Sequence, residues 1–401
     1  MTRFTSSRVS GMPESVFLQM DAAKKEARSK GLPLIDLSIG ASDLPPPQVA
    51  LQALSDAVWD PSTYGYCLRS GFTPFLEAVS DWHQRRMGLA LDPHSHLLPL
   101  IGSQEGFGHL LLAVTNPGDL ILLPDPGYPS YLGAVSIAGL DTHLVPLLEE
   151  QGFLPDLQSL PEDVASRAKV LVLSYPNNPT AGVATPEFMQ QAVNFCLQHD
   201  ILLIHDFPYV DMVFGAYEAP SVLNARGALD CAVELYSISK SFHMGGFRLG
   251  WAAGNPEAIA ALEKLKSAID FNQYVGIQRA GMAALGLPRE HTRQDARRLM
   301  ERRDALCQAL QDTGWDISVP QASMYVWAKI PASIPSFEFA LGLARETGVA
   351  VAPGLAFGTR GEGHVRFALV REPEVLQEAA HKISAYLKQR SAVSHQRSAQ
   401  R

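Results

Sequence analysis

Short apolar runs alternate with helical patterns from residue 48 to about residue 270. The seven runs cover residues 97–101, 120–123, 142–145, 170–174, 201–205, 233–238 and 249–253. Runs that polar residues do not relieve are typical of strands buried on both faces, and the helices between them favour a mostly parallel sheet. The pattern therefore predicts a large α/β domain over residues 48–270, with ligands bound at the carboxyl ends of its strands.

The rest of the chain has a different pattern. Residues 14–30 have helical spacing, residues 34–40 form an extended apolar run, and a triple proline at 45–47 is typical of a linker. Beyond residue 270, helical patterns at 277–311, 335–347 and 373–388 mix with strand-like segments at 316–319, 324–330 and 349–352. We predict a smaller α+β domain made of residues 14–47 and 271–390, with disordered tails at 1–13 and 391–401.

Composition narrows the range of functions. The chain has 401 residues, enough for two domains, and a formal net charge of −8, which argues against nucleic acid as a partner. The four cysteines, at positions 67, 196, 231 and 307, show no metal-binding or disulfide spacing, so we expect no metal and a reducing, cytoplasmic location. Nothing approaches the roughly 18 consecutive apolar residues that a membrane span requires.

One lysine follows the end of an apolar run. Lys240 closes the tetrapeptide Ser-Ile-Ser-Lys that begins at Ser237, and Arg248 follows eight residues later. A partly desolvated amine condenses readily with a carbonyl group, while hydroxyls and a guanidinium bind phosphate. These groups together suggest pyridoxal 5'-phosphate (PLP), an aldehyde cofactor that carries a phosphate. A surface turn is the alternative interpretation of the tetrapeptide.

Other strand ends carry polar or aromatic groups. Ser103 and Gln104 begin a helix directly after a strand and a glycine, where free N–H groups favour an anion, although an ordinary helix cap explains them as well. Tyr128 follows the next run and could stack on a flat ring or simply pack against a turn. Both positions precede Lys240 in the order expected for one edge of the sheet.

The next two strand ends carry an amide and an acid. Asn177 and Asn178 lie between two prolines that fix their loop, so one of these rigidly presented amides could donate to a phenolate oxygen. Asp206 follows a run that should be buried, and Tyr209 comes three residues later. A carboxylate there could pair with a protonated ring nitrogen.

These motifs have a known counterpart. Tyr-Pro-Asn-Asn-Pro-Thr at 175–180, Asp-x-x-Tyr at 206–209, Ser-x-Ser-Lys at 237–240 and Arg-x-Gly at 248–250 resemble the class I and II aminotransferases, which are fold-type-I PLP enzymes. The resemblance runs from Gly40 to Arg366 in the order of the family. It implies a seven-stranded, mostly parallel sheet in the large domain, a smaller α+β domain, and a homodimer with shared active sites.

The resemblance also implies roles for individual residues. Lys240 binds PLP covalently and later transfers a proton, Asp206 pairs with the pyridine nitrogen, and Asn178 and Tyr209 bond the ring oxygen. Lys240, Asp206 and Tyr209 are the implied catalytic residues. The implied cofactor contacts further include Tyr128 on the ring and, at the phosphate, Ser103, Gln104, Ser237, Arg248 and a tyrosine of the neighbouring subunit, Tyr66 or, as second choice, Tyr64. Arg366, with Gly40 and Asn178, would bind the substrate carboxylate, although a surface arginine on a short strand is the other interpretation.

The sequence departs from the family pattern at two places. Ala181 stands before Gly182 where the family usually has glycine directly after threonine, so the backbone there could approach the site differently. Phe207 and Pro208 replace a more common polar pair, which we expect to affect the substrate pocket without changing the role of Asp206.

The implied activity is transfer of an amino group from an amino acid to a 2-oxo acid by a ping-pong mechanism. The segments 36–45 and 205–209 resemble a subgroup assigned to LL-diaminopimelate or N-succinyl-diaminopimelate aminotransferases, although the donor and the acceptor stay open. A PLP-dependent β-lyase acting on cystathionine-like substrates uses the same cofactor contacts. A PLP-binding regulator would need a DNA-binding module of about 60 residues before this fold.

Overall fold

The computed structural model describes residues 4–12, 16–331 and 334–399. The strands of these ranges are β1 Ile35–Asp36, β2 Leu97–Leu100, β3 Leu120–Asp125, β4 Asp141–Pro146, β5 Ala168–Leu173, β6 Leu202–Asp206, β7 Ala232–Ser237, β8 Gly250–Gly254, β9 Tyr325–Lys329, β10 Val349–Ala350, β11 Ala352–Pro353 and β12 His364–Ala368.

The α-helices of the same ranges are α1 Ser7–Ser10, α2 Val16–Ser29, α3 Gln48–Val58, α4 Arg69–Met87, α5 Ser103–Val114, α6 Ser130–Ala138, α7 Glu162–Ala165, α8 Pro186–His199, α9 Ala228–Cys231, α10 Ile238–Ser241, α11 Pro256–Ile269, α12 Val275–Leu285, α13 Arg289–Asp312, α14 Ser336–Thr347 and α15 Pro373–Ala399. None of the helices that the structure describes is long and apolar enough to cross a membrane.

The seven apolar runs form one sheet, as predicted. Its strand order is β2-β8-β7-β6-β5-β3-β4, and only β8 runs antiparallel to its neighbours within the described part of the sheet. Asp206, the last residue of β6, is paired in register with Leu235 of β7, two residues before the end of that strand. The residues that follow β6 and β7 therefore emerge at the same edge, where Asp206 and Lys240 meet.

Apolar residues on both faces of this sheet bury it between helices. Val170, Leu203, Val233 and Leu235 are at most 1% exposed, and they belong to one large core with the inner faces of the covering helices. At the start of α8, one of these helices, the hydroxyl of Thr185 accepts from the amide of Phe188. This rigid sheet fixes the strand ends that carry the site.

A second apolar core lies in the other part of the chain. It includes Met20 of α2, Val326 of β9, Phe339 of α14, Phe367 of β12 and Ile383 of α15. A three-stranded antiparallel sheet, β11-β12-β9, and the parallel pair β1-β10 lie within it. The exact bounds of the two domains stay a prediction, which the separation into two cores supports.

Three details differ from the sequence prediction. Residues 316–319 form no strand, because Ile317 is buried but its carbonyl accepts from the side chain of Gln311 and not from a neighbouring strand. The tail predicted to be disordered from residue 391 continues α15 through Ala399, where neither glycine nor proline stops the helix, and the helix α1 lies within the other predicted tail. Residues 1–3, 13, 400 and 401 of those tails lie outside the described residues.

Candidate active site

A cavity of about 650 Å³ lies at the carboxyl ends of β5, β6 and β7, between the two apolar cores. It is lined by all of the site residues proposed from the sequence except the two tyrosine candidates for the neighbouring subunit, namely Gly40, Ser103, Gln104, Tyr128, Asn178, Asp206, Tyr209, Ser237, Lys240, Arg248 and Arg366. Tyr66 and the second choice, Tyr64, are 85% and 62% exposed and lie outside the wall of this cavity. Residues from positions 40 to 366 therefore converge on one space.

Asp206 has one satisfied and one free carboxylate oxygen. The hydroxyl of Tyr131 donates to Oδ2 at 2.7 Å, whereas Oδ1 is buried and accepts from no described residue. Burial raises the pKa of Asp206 from 3.8 to about 6, although the hydrogen bond from Tyr131 acts in the opposite direction. A protonated pyridine nitrogen is a donor that fits the free acceptor, so this wall of the cavity suits the ring of PLP.

The start of α5 forms the second part of the cavity. Gly102 has a φ of +84°, and a Cβ atom there would lie 2.3 Å from Nη2 of Arg248. The first N–H groups of a helix have no partner within it, so a guanidinium beside them makes a site for an anion. Ser237 lies nearby at the end of β7, where its hydroxyl accepts from the amide of Ser239. These groups fit the phosphate of PLP.

Two tyrosines of the 125–131 segment cover another side of the cavity. Tyr128 donates from its hydroxyl to Oε1 of Gln104 at 3.2 Å. Its ring meets that of Tyr131 edge to face, with centroids 5.6 Å apart. Burial raises the pKa of Tyr128, so its hydroxyl keeps its proton and can donate. These contacts hold the ring of Tyr128 in the cavity wall. From this position it can stack on a flat ring, as the sequence suggested.

Lys240 points into the cavity from the short helix α10. Its Nζ donates to the carbonyl oxygen of Gly40 at 2.5 Å and lies 5.9 Å from the ring centroid of Tyr209. The strand β7 and the cap at Ser237 place the lysine just beyond the sheet edge, beside Asp206. Its amine therefore faces the same space as the free carboxylate oxygen.

Arg366 lies on β12 and is 4% exposed. Its Nη1 donates to Oδ1 of Asn178 at 2.6 Å, and its Nη2 donates to the carbonyl of Ser38 at 2.9 Å. The guanidinium lies between two rings, 4.0 Å from the centroid of Tyr325 and 4.6 Å from that of Phe357. Its buried Nε has no partner among the described residues. Arg366 is therefore a buried cation that faces the cavity and not a surface residue.

A tyrosine pair joins the lysine and arginine sides of the site. The hydroxyls of Tyr209 and Tyr325 lie 3.1 Å apart. Burial raises the pKa of Tyr209 well above its ordinary value. At Tyr325 burial acts in the same direction, but the charges of Arg366 and Lys240 outweigh it and lower the pKa. Either hydroxyl can donate the hydrogen bond that joins the two rings.

Four residues that the sequence did not single out belong to this site: Ser38, Tyr131, Tyr325 and Phe357. Tyr131 comes three residues after Tyr128, a spacing that brings both rings to one side of a helix start and could have revealed it. The other three come from segments far apart in the chain. Ser38 follows β1, Tyr325 belongs to the second apolar core, and Phe357 belongs to a small separate cluster with Trp327 and Ala352. Only the fold brings them near Arg366. No local pattern marks them.

The two departures from the family motif have visible consequences. Ala181 adopts a φ of +58°, a conformation that favours glycine, yet the loop still directs Asn178 to Arg366. The side chain of Phe207 is fully buried in the large core against the ring of Tyr236, away from the cavity. Pro208 does line the cavity, so only this half of the unusual pair contributes to the pocket.

Comparisons with known proteins find aminotransferases of nearly the same length. The chain is 41% identical over 378 residues to the LL-diaminopimelate aminotransferase of Syntrophobacter fumaroxidans. The aligned region covers 94% of this chain and 97% of that protein. It is 39% identical over 380 residues to the LL-diaminopimelate aminotransferase of Moorella thermoacetica, with 95% and 97% covered.

A solved structure gives the same result. The probable N-succinyldiaminopimelate aminotransferase of Thermus thermophilus superposes with a TM-score of 0.89 at 50% identity, covering 92% of this chain and all of that one. The family model described as aminotransferase class I and II matches residues 33–383. The predicted family, fold class and type of enzyme are therefore confirmed. The chain belongs to the class I and II aminotransferases.

Proposed function

We propose that this aminotransferase uses PLP and acts on diaminopimelate or its N-succinyl derivative. The observation that carries the cofactor assignment is the buried, unpartnered Oδ1 of Asp206 in the same cavity as Lys240. A carboxylate with a free lone pair, an amine and an arginine beside a helix start provide one group for each functional part of PLP. The family to which the chain belongs is generally PLP-dependent, which supports the proposal.

Each of these groups has a distinct task. Asp206 would hold the proton on the ring nitrogen, and the N-terminus of α5 with Ser237 and Arg248 would bind the phosphate. Asn178 and Tyr209 would bond the ring oxygen, and Tyr128 would cover the ring. When bound, PLP supplies an electron sink that stabilises negative charge developing at the substrate Cα.

The remaining residues act on the substrate. Arg366 offers two parallel N–H donors that suit a carboxylate, and it exchanges its contacts with Asn178 and Ser38 for that ligand. Holding the carboxylate fixes the orientation of the Cα–H bond towards the lysine. Lys240 removes the proton from Cα and later returns it at another position of the bound reactants. The aromatic walls formed by Tyr128, Tyr325 and Phe357 keep water away from this transfer.

The choice of substrate rests on the relatives. Two of them carry the name LL-diaminopimelate aminotransferase, and a solved neighbour is a probable N-succinyldiaminopimelate aminotransferase. Full-length coverage at these identities supports the same pathway, diaminopimelate and lysine synthesis, for this chain. The cavity volume of about 650 Å³ leaves room for an amino acid longer than alanine beside the cofactor.

We also infer a homodimer with shared sites. Trp59, Tyr64, Tyr66 and Leu68 are between 57% and 85% exposed, and Phe271 packs on Tyr66 with ring centroids 5.5 Å apart. An apolar surface of this kind is typical of a protein interface. The interface would bring Tyr66 to the partner's phosphate site. The cytoplasm stays the expected location, which the four free cysteines support.

The central test replaces the proposed cofactor lysine. Lys240→Ala should lose the absorbance band of covalently bound PLP, because the covalent bond can no longer form. Its turnover should fall at least about 100-fold, because the proton carrier is also gone. Lys169→Ala, at an exposed position of β5, is the matched control and should keep both.

A second experiment, on the unsubstituted enzyme, identifies the substrate. A panel of amino donors is mixed with the PLP-loaded enzyme, and the change of the cofactor spectrum is recorded for each. Diaminopimelate or its N-succinyl derivative should give the fastest change and require a 2-oxo acid for turnover. Pyruvate and ammonia formed without an acceptor would instead indicate a β-lyase, and an unchanged band in Lys240→Ala would contradict the assignment of the lysine.

A further inference from the structure

A serine, a histidine and an aspartate form a chain of hydrogen bonds at the edge of the cavity. Nδ1 of His243 lies 2.7 Å from the hydroxyl of Ser42, and Nε2 of His243 lies 3.1 Å from Oδ2 of Asp295 on α13. The imidazole is 4% exposed, and both Ser42 and His243 line the cavity. None of the roles described above uses these three residues.

The backbone at His243 is held in an uncommon conformation. Its φ is +56°, although glycines are available two and three residues later, and its amide lies 3.4 Å from the carbonyl of Lys240. A non-glycine residue in the left-handed region is retained where its surroundings determine its position, often at functional sites. The backbone conformation of this loop therefore fixes the position of the imidazole, three residues after Lys240.

The partners determine the direction of the hydrogen bonds. A carboxylate accepts, so Nε2 of His243 carries the proton that is donated to Asp295. In the neutral ring Nδ1 is then an acceptor, and the Ser42 hydroxyl donates to it while accepting from the amide of Leu44 at 3.2 Å. Nη1 of Arg298 lies 3.5 Å from Oδ1 of Asp295, and Nε2 of His291 lies 3.8 Å from Oδ2, the oxygen that also faces His243.

Ser42 belongs to a segment that contacts both functional cations. In this segment, residues 38–43, the carbonyl of Ser38 accepts from Arg366 and that of Gly40 accepts from Lys240. Its far end is fixed by Asp43, which accepts from both Nη atoms of Arg302 at 2.8 and 2.9 Å. His243 is thus the side chain that ties the loop of the lysine to the segment that contacts the lysine and the arginine.

We propose that His243 is a positioning residue that, through Ser42, fixes residues 38–43 over the carboxylate site, with Asp295 orienting its ring. The inference rests on the proposed roles of Lys240 and Arg366, but its structural part does not depend on them. Loss of the imidazole frees Ser42, and the carbonyls of Ser38 and Gly40 then lose their fixed orientation. The substrate carboxylate consequently meets a less organised site.

Hydrogen–deuterium exchange of the segment tests the structural part. In His243→Ala and in Ser42→Ala, amides of residues 38–44 should exchange about tenfold faster, because one hydrogen-bonded anchor is lost. Ser42→Thr keeps the hydroxyl and should restore slow exchange, and Asp295→Asn keeps an acceptor for Nε2. His291→Ala, which contacts Asp295 outside the cavity, is the matched control and should leave this segment unchanged.

Steady-state kinetics test the functional part. With the donor identified by the panel, His243→Ala and Ser42→Ala should raise KM about tenfold and lower kcat by a smaller factor, since carboxylate binding is what the segment organises. Unchanged exchange in either alanine variant would overturn the proposal, as would a fall in kcat at constant KM. If the purified protein carried no PLP band, the proposed function would fail, whereas the exchange experiment would still decide the role of His243.

Discussion

Two buried acids on neighbouring strands show how hydrogen bonds decide the charge of a side chain. Burial raises the pKa of both, but donors from His205, Ser221 and Tyr236 outweigh it at Glu234 and lower the pKa there. Asp206 has one donor, Tyr131, and its pKa is raised to about 6. Asp206 therefore lacks the hydrogen-bond donors that would stabilise its charged form within the protein.

We predict that Asp206→Asn stabilises the cofactor-free protein at pH 8. The pKa is raised from 3.8 to about 6 on folding, so the stability that this group contributes is complete below pH 3.8 and lost as the pH rises through 6. The amide avoids that loss, about 3 kcal/mol at full size. Urea unfolding at pH 4 and pH 8 measures the gain, which should shrink at the lower pH.

A matched control uses the other aspartate near this strand. Asp211 accepts from Nε of Arg86 at 3.0 Å, so Asp211→Asn removes a paired charge and should destabilise the protein at pH 8. With PLP bound, Asp206→Asn should instead lose most of its turnover, because the ring nitrogen no longer has an anionic partner. A less stable Asp206→Asn protein at pH 8 would contradict the unpaired state of this carboxylate.

At the level of elements, the turn before α5 shapes the proposed phosphate site. Gly102 combines a left-handed φ with a close approach to Arg248. Any side chain there would meet the guanidinium before it met the backbone of another strand. The turn thus keeps the start of α5 and Arg248 within reach of the same anion.

Gly102→Ala should lower the affinity for PLP by more than about tenfold, because the added Cβ displaces Arg248 from the start of α5. Gly88→Ala is the control: Gly88 also has a positive φ, at the end of α4, but has no atom within 4 Å of an added Cβ. Both variants should lose roughly 1 kcal/mol of stability, and only the first should lose cofactor in an absorbance titration. Equal affinities in the two variants would show that Arg248 is not part of the phosphate site.

The elements themselves were largely predictable, and their order was not. Apolar runs identify all seven strands of the large sheet. Most of these strands are buried along most of their length, whereas the edge strand β4 is mostly exposed. No local signal indicates that β8 inserts antiparallel between β2 and β7, because this arrangement depends on contacts between distant segments. Residues 316–319 were mistaken for a strand since burial alone produces a similar pattern.

For the whole molecule, the site depends on the meeting of two cores. Lys240, Asp206 and the proposed phosphate-binding residues follow strands of the large sheet. Their motifs could be recognised in the sequence. Arg366 was recognised through the resemblance, but its aromatic neighbours Tyr325 and Phe357 were not. These two rings come from separate segments, one in the smaller core and one in a small cluster outside it. The part of the site that lies on the large sheet could therefore be predicted from its motifs, whereas the neighbours of Arg366 could not.

Hybrid dimers test the shared site at this scale. Lys240→Ala chains and Tyr66→Ala chains are mixed, so that one site of each hybrid carries both defects and the other carries neither. At limiting PLP each hybrid should recover about half of the wild-type activity, above that of either parent. Tyr64→Ala in place of Tyr66→Ala is the comparison, and recovery with Tyr64→Ala alone would move the shared role to that residue. No recovery in either mixture would contradict a shared site.

The contacts of Lys240 and Arg366 have one more consequence. Each of these cations already has an oxygen partner from the chain itself, Gly40 for the half-buried lysine and Ser38 with Asn178 for the buried arginine. A substrate carboxylate that binds Arg366 as proposed must therefore displace oxygens of the chain itself. Such competition favours ligands that offer both oxygens of a carboxylate to the guanidinium over weaker, single-point anions.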